Sequence, residues 1–164
     1  MSALKAGLRA PGVELPLVGG GIFSLSEALK RGPVALAFFK VSCPVCQYAF
    51  PFYERLANAV KDHGLMVIGV SQDSEADTRE FASEFGVTFP IALDSPGRYQ
   101  VSNAYGLTNV PTLFVVGQDG TIERSVVGWS TRDAEEIYSE ARNGRPAEQA
   151  IFSPKESVAD FRAG

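Results

Sequence analysis

Apolar and polar positions fall along this chain in two alternating periods. Val34-Ala35-Leu36-Ala37-Phe38-Phe39 is an unbroken apolar run, the pattern of a strand covered on both faces. From Pro44 to Asp62 the apolar positions become Ala49, Phe52, Leu56 and Val60, with Tyr53 and Ala57 alongside. Spacings of three and four put one apolar face on a helix. Pro51 lies inside it and lacks a backbone donor, which predicts a kink. Leu65–Val70 repeats the buried-strand pattern, and Glu75–Phe85 reads as a helix with Phe81, Ala82 and Phe85 inward, closed by Gly86.

The flanking segments are shorter. After an extended lead-in over Met1–Gly12, Val13–Leu17 and Ile22–Leu25 bracket Gly19-Gly20-Gly21 and predict a small β-hairpin. Ser26–Arg31 is a helical turn stopped by Gly32-Pro33, Phe89–Leu93 a short strand, and Gly97–Tyr105 a short helix. Thr112–Val116 and Thr121–Val127 flank Gly117-Gln118-Asp119-Gly120, a hairpin signal. A last long helix starts near Thr131, with Asp133, Glu135 and Glu136 in its first turn, and stops at Gly144. Ser153-Pro154-Lys155-Glu156 has the form of a capping box with proline at the first helical position. It predicts a short helix to about Arg162, docked through Val158 and Phe161.

Strands alternating with helices, then a hairpin and a helix, argue for an α/β domain with a central mixed sheet flanked by helices. Right-handed crossovers would place Val34–Phe39 and Leu65–Val70 parallel and adjacent at its centre. The expected organisation is a single domain over 1–164 with residues 145–164 as an appendage.

Composition narrows the function. The 164 residues are 45% hydrophobic and 21% charged, enough to build a core without cross-links. Fifteen basic residues against 19 acidic ones give a net charge of −4 with no basic run, so no nucleic-acid partner is expected. The longest apolar runs fall far short of the roughly 18–20 residues of a membrane span. Lys5 and Arg9 interrupt any apolar stretch in Met1–Pro11, which argues against a secretory signal. The expected location is cytoplasmic, although an exported or tethered form stripped of its leader would read the same way.

There are only two cysteines, Cys43 and Cys46. A bridge across so short a loop constrains almost nothing, so stability is not their role. They stand where a buried strand hands over to a long helix. Unpaired N–H groups and the helix dipole stabilise a thiolate there. Cys43 can attack a partner disulfide, and Cys46, one turn further in, can displace the partner. The pair is also half a zinc site, but His63 is the only other strong ligand, so no metal and no cofactor is expected. Inert buried cysteines more often sit mid-element. Val110-Pro111 precedes a strand, where proline removes a ladder donor. Either it merely starts the strand, or a cis Val110–Pro111 bond frees the Val110 backbone to pair with an extended substrate. Pro44, Val45, Val110 and Pro111 are thus the candidate substrate-binding residues, beside catalytic Cys43 and Cys46.

Buried strand, Cys43-Pro44-Val45-Cys46, helix with Pro51, Val110-Pro111-Thr112 before Leu113–Val116, then Gly117–Gly120 and Trp129, together resemble the thioredoxin superfamily. The lead-in Arg9-Ala10-Pro11 to Leu25 and the stretch between Leu65 and Leu107 resemble its redoxin branch. That branch holds TlpA/ResA-type thiol-disulfide oxidoreductases and the AhpC/TSA peroxiredoxins. The resemblance covers roughly Lys5–Asn143. It implies a thioredoxin-like fold with an N-terminal β-hairpin extension, Cys43 as nucleophile, Cys46 as resolver and Pro111 as a facing cis-proline. The implied partners are protein or small-molecule thiols and disulfides, with a reductase or thiol reductant. Lys40, Val41 and Ser42 depart from the aromatic-then-Trp lead usual in the family, and Ala37 stands where thioredoxins often carry a buried acid. Deprotonation of Cys46 then needs water or another carboxylate. Lys40 either lowers a thiolate pKa or is a solvated strand-end lysine.

Two other functions stay open on the residues alone. A peroxiredoxin needs P-x-x-x-T-x-x-C, and neither cysteine fits: the required proline and threonine fall on Phe39 and Cys43, or on Leu36 and Lys40. Arg98 and Arg124 are the guesses for a distant arginine, with surface charge as the plainer role. A non-enzymatic, redox-sensing binding module is the other alternative. His63 reads as a helix-end residue, Trp129 as packing, and Gly19–Gly21 as a turn rather than a phosphate loop.

Overall fold

The computed structural model describes residues 2–94 and 97–164; apart from Met1, the predicted lead-in is included. Its elements are β1 (Glu14–Pro16), β2 (Ile22–Ser24), α1 (Leu25–Leu29), β3 (Val34–Phe39), α2 (Pro44–Val60), β4 (Met66–Ser71), α3 (Glu75–Phe85), β5 (Ile91–Leu93), α4 (Gln100–Ala104), β6 (Thr112–Val116), β7 (Ile122–Val127), β8 (Trp129–Ser130), α5 (Thr131–Arg142) and β9 (Phe161–Arg162).

A five-stranded mixed sheet in the order β5-β4-β3-β6-β7 is the centre. β3 pairs with β4 in parallel and with β6 antiparallel. Every residue of β3 is fully buried, as its unbroken apolar run requires. Alternation along β3 sends Ala35, Ala37 and Phe39 into a core with α2, α3 and α5. Val34, Leu36 and Phe38 go into a second core with β1, β2, α1 and α4. Each β3 side chain thereby anchors one of two layers, and its end is held from both sides.

The N-terminal hairpin forms as predicted, β1 against β2 across Gly19–Gly21, whose φ values of 84° to 110° suit glycine. α2 runs over Pro44–Val60 with Pro51 inside it, as the apolar spacing predicts. Ser74 and Ser130 cap α3 and α5 by accepting N–H bonds from Asp77 and Asp133.

The tail departs from the sequence reading. No helix forms over 153–162. Half of the capping box survives, because the Ser153 N–H donates to Glu156 Oε1 at 3.1 Å. But the Glu156 carboxylate is held two-pronged by Arg55 of α2, at 2.7 and 2.8 Å, and the backbone makes a single turn, the Glu156 N–H donating to the Ser153 carbonyl at 3.0 Å, without continuing into a helix. Phe161–Arg162 then pairs as β9 with β8. Upstream, buried Ile151 and half-buried Phe152 join the α2/α5 core, Phe152 lying 5.5 Å from Phe52 and 6.1 Å from Trp129 between ring centres.

Candidate functional site

The site lies where β3 ends and α2 begins. Cys43 is the N-cap residue of α2, with extended backbone (φ −81°, ψ 118°) and Pro44 at the first helical position, where proline's missing donor costs nothing. Its Sγ accepts the Cys46 N–H at 3.4 Å, the cap interaction usually supplied by an oxygen. The same Sγ, as a thiol, donates to the Val110 carbonyl at 3.4 Å. Cys43 is partly exposed and Cys46 buried, and both are free thiols.

The turn that sets Cys43 is clamped by two side chains, Asp73 from the loop after β4 and Gln47 from α2. The Val41 N–H donates to Asp73 Oδ2 at 2.8 Å, and Gln47 Nε2 donates to the Val41 carbonyl at 2.9 Å. Asp73 sits just beyond β4, where its own N–H donates to Ser71 Oγ at 3.1 Å. Burial pushes the Cys46 thiol well above its ordinary range; a backbone hydrogen bond from Lys40 offsets part of this, while Cys43 and the negative charge of Asp73 push the same way as burial. One sulfur is therefore at the surface with a donor and an acceptor around it, and the other is kept protonated in the core.

Opposite Cys43, the Val110–Pro111 bond is cis. Pro111 is buried and Val110 partly exposed. This turn is closed by Thr112 Oγ1, which donates to the Asn109 carbonyl at 2.8 Å, and by the Gly128 N–H, which donates to the Pro111 carbonyl at 2.8 Å. Val110 and Cys43 are thus brought together; Pro44 is exposed and Val45 partly exposed on the adjoining helix turn. A crevice of about 180 Å³ runs from Val110 and Asn109 to Lys40 and Tyr99.

Several secondary expectations can be placed. Lys40 is exposed, 6.0 Å above the Tyr99 ring, as a solvated strand-end lysine would be. Arg124 is not free surface charge: Asp133, Glu136 and Glu140 hold it at 2.6, 2.9 and 2.6 Å. Arg98 is exposed. Trp129 is fully buried, its indole N–H donating to the Ala159 carbonyl at 3.0 Å. Among the described residues no cluster of three metal-ligating side chains occurs. Sequence reasoning missed Asp73 and Tyr48, whose hydroxyl accepts the Ala159 N–H at 2.8 Å. Neither carries a period or motif of its own, because each acts through a contact distant in sequence.

Comparison with known proteins places this architecture. Residues 6–125 match the AhpC/TSA family. The chain belongs to that family. Among relatives of the AhpC/TSA chain, the thiol-disulfide oxidoreductase ResA of Geobacillus kaustophilus is 29% identical over 141 residues, covering 85% of this chain and 79% of the relative. ResA of Bacillus subtilis is 28% identical over 130 residues, covering 79% and 71%. The thioredoxin domain of a thiol-disulfide oxidoreductase from Bacteroides vulgatus superposes with a TM-score of 0.74 at 23% identity, covering 86% of this chain and 98% of that one. The thioredoxin-like fold is shared.

Proposed function

We infer that this AhpC/TSA-family chain is a thiol-disulfide oxidoreductase in which Cys43 attacks and Cys46 resolves. One observation carries the reading: Cys43 caps α2 at the surface and its Sγ accepts the Cys46 N–H, so the second thiol stands one helical turn behind the first. The ResA relatives support it.

The steps balance as disulfide exchange. The Cys43 thiolate attacks one sulfur of a substrate disulfide; that S–S bond breaks, and the leaving thiolate takes a proton from water. Cys46 gives its proton to solvent and attacks Cys43 Sγ, expelling the second substrate thiol. The substrate gains two electrons and the protein is left with a Cys43–Cys46 disulfide, which a thiol reductant or reductase returns to the dithiol. Pro44, Val45, Val110 and Pro111 line the place where the substrate sulfur must stand, and the Val110 backbone is the edge that an extended substrate would pair with. No metal or organic cofactor takes part in these steps. The substrates are protein or small-molecule disulfides, and the reading treats 1–164 as one unit with 145–164 appended. Among the described residues no helix is long and apolar enough to cross a membrane; a cytoplasmic reducing role belongs to this reading.

Insulin reduction with dithiothreitol as reductant tests it. Turnover that is lost in Cys43→Ser, without hydrogen peroxide consumption by the unmodified protein, is the expected outcome. Peroxide turnover lost in Cys46→Ser would replace it with a peroxidase. Absence of any turnover, together with partner binding that changes on disulfide closure, would replace it with a redox-sensing module.

A further inference from the structure

The carbonyl of Val110 has two neighbours. One is the Cys43 thiol. The other is Gly164, which approaches so closely that a Cβ built there would overlap the Val110 carbonyl. Gly164 of the same chain therefore lies on the edge beside the attacking sulfur.

They are led there by a defined set of contacts. The Ala159 N–H donates to the Tyr48 hydroxyl at 2.8 Å, and the Ala159 carbonyl accepts from Trp129 Nε1 and Thr131 Oγ1 at 3.0 and 2.7 Å. β9 pairs with β8, and the Arg162 guanidinium stacks 4.1 Å from the Tyr48 ring centre, two residues beyond Cys46. The backbone passes Gly128 with no room for a side chain there. Asn109 Nδ2 finally donates to the Gly164 carbonyl at 3.0 Å, next to Val110.

The segment is fastened by polar contacts rather than by burial. Residues 160–164 are all exposed, Phe161 by 59%, whereas Ile151 and Phe152 upstream are packed in the core. Residues 160–164 bury none of their own side chains, so this stretch can lift while Ile151 and Phe152 stay anchored. Its path pairs as a strand with β8 and delivers Gly164 to the Val110 carbonyl, the backbone edge to which an extended polypeptide would add.

We propose that residues 159–164 form a strap over the substrate edge at Val110, and that an extended polypeptide disulfide must displace it to reach Cys43. A small disulfide approaches the partly exposed sulfur without displacing it. The strap thus sets a selection between polypeptide and small-molecule disulfides. This rests on the disulfide-exchange reading above, but its occupancy can be measured whether or not the protein turns over.

In the 164-residue chain carrying Cys46→Ser, Cys43 is loaded with a thiopyridyl-activated cysteine peptide or, separately, with mercaptoethanol, and amide hydrogen exchange is followed. The expected result is exchange over 159–163 faster by at least about tenfold in the peptide adduct, and unchanged in the mercaptoethanol adduct. Equal protection in both adducts overturns the strap. Gly164→Val and Arg162→Ala loosen it in the active protein without touching the dithiol. Each is expected to raise kcat/KM for insulin several-fold and leave that for hydroxyethyl disulfide unchanged. Unchanged or lower insulin rates in both variants overturn the proposal. Loss of insulin reduction in the unmodified protein would overturn the oxidoreductase reading instead, with the adduct exchange still deciding the strap.

Discussion

The two ends of the central sheet differ in a way that separates shape from chemistry. At the end where β3 meets α2 there is only a small crevice, about 180 Å³ beside Val110, and a half-exposed sulfur. At the opposite end lies a cavity of about 580 Å³, lined by Arg31, Glu54, Lys61, Gly64, Thr88 and Phe89 among others. The larger hollow holds no thiol. Its carboxylate, Glu54, is spent on structure: it accepts the Thr88 and Phe89 N–H groups at 2.8 and 3.3 Å and the Thr88 hydroxyl. Reactivity follows the helix N-terminus, where unpaired N–H groups meet a sulfur, not the volume of a pocket. Exchange between two sulfurs needs an exposed edge more than a large hollow.

Breaking the sulfur end has the largest expected effect. Cys43→Ser abolishes insulin reduction to background, because an alcohol neither forms the mixed disulfide nor leaves from it. The fold tolerates the change, since serine also serves as an N-cap, and an unchanged circular dichroism spectrum checks this.

The next effect is on pH. Burial holds Cys46 protonated through the neutral range, so release of a mixed disulfide waits on a small thiolate fraction. Stopped-flow release from a preformed mixed disulfide is expected to rise about tenfold per pH unit between roughly pH 7 and 9. The same burial raises the Tyr53 and Tyr105 hydroxyls. All three groups ionise in the unfolded chain before the folded one, so the native state holds more protons. Stability of the reduced protein is therefore kept below about pH 9 and declines above it, by up to about 1.4 kcal/mol per group per pH unit. Alkaline urea titrations read that decline.

A smaller change sharpens the contrast from the far end. Glu54→Ala removes the acceptor for the Thr88 and Phe89 amides and is expected to cost about 0.5–1.5 kcal/mol of stability, with the rate of Cys43 alkylation unaltered. Smallest of all is Lys40→Ala. The side chain is near the site but exposed, and the rate of insulin reduction is expected to change by no more than about twofold.

Much of this was legible in the chain because its signals are local. The unbroken run of β3, the serine-capped and glycine-closed α3 over Glu75–Phe85, and the hairpin across Gly117–Gly120 each carry their cause within a few residues. The dithiol was legible for the same reason, since strand, sulfur, proline and helix follow one another. The tail was not. Ser153 and Glu156 satisfy a capping rule, but Arg55, distant in sequence, takes the carboxylate, and the open edge of Trp129–Ser130 takes the strand. Asp73 was missed likewise: its role is to accept the Val41 N–H from across the β4–α3 turn, which no spacing around Cys43 announces.

The division of labour between the sulfurs is tested most directly by intact-mass measurement of single variants exposed to a peptide disulfide. Cys46→Ser is expected to accumulate one peptide adduct on Cys43, while Cys43→Ser, whose remaining thiol is buried, stays unmodified over the same time. An adduct on Cys46 forming as fast as the one on Cys43 would contradict the assignment of attacker and resolver.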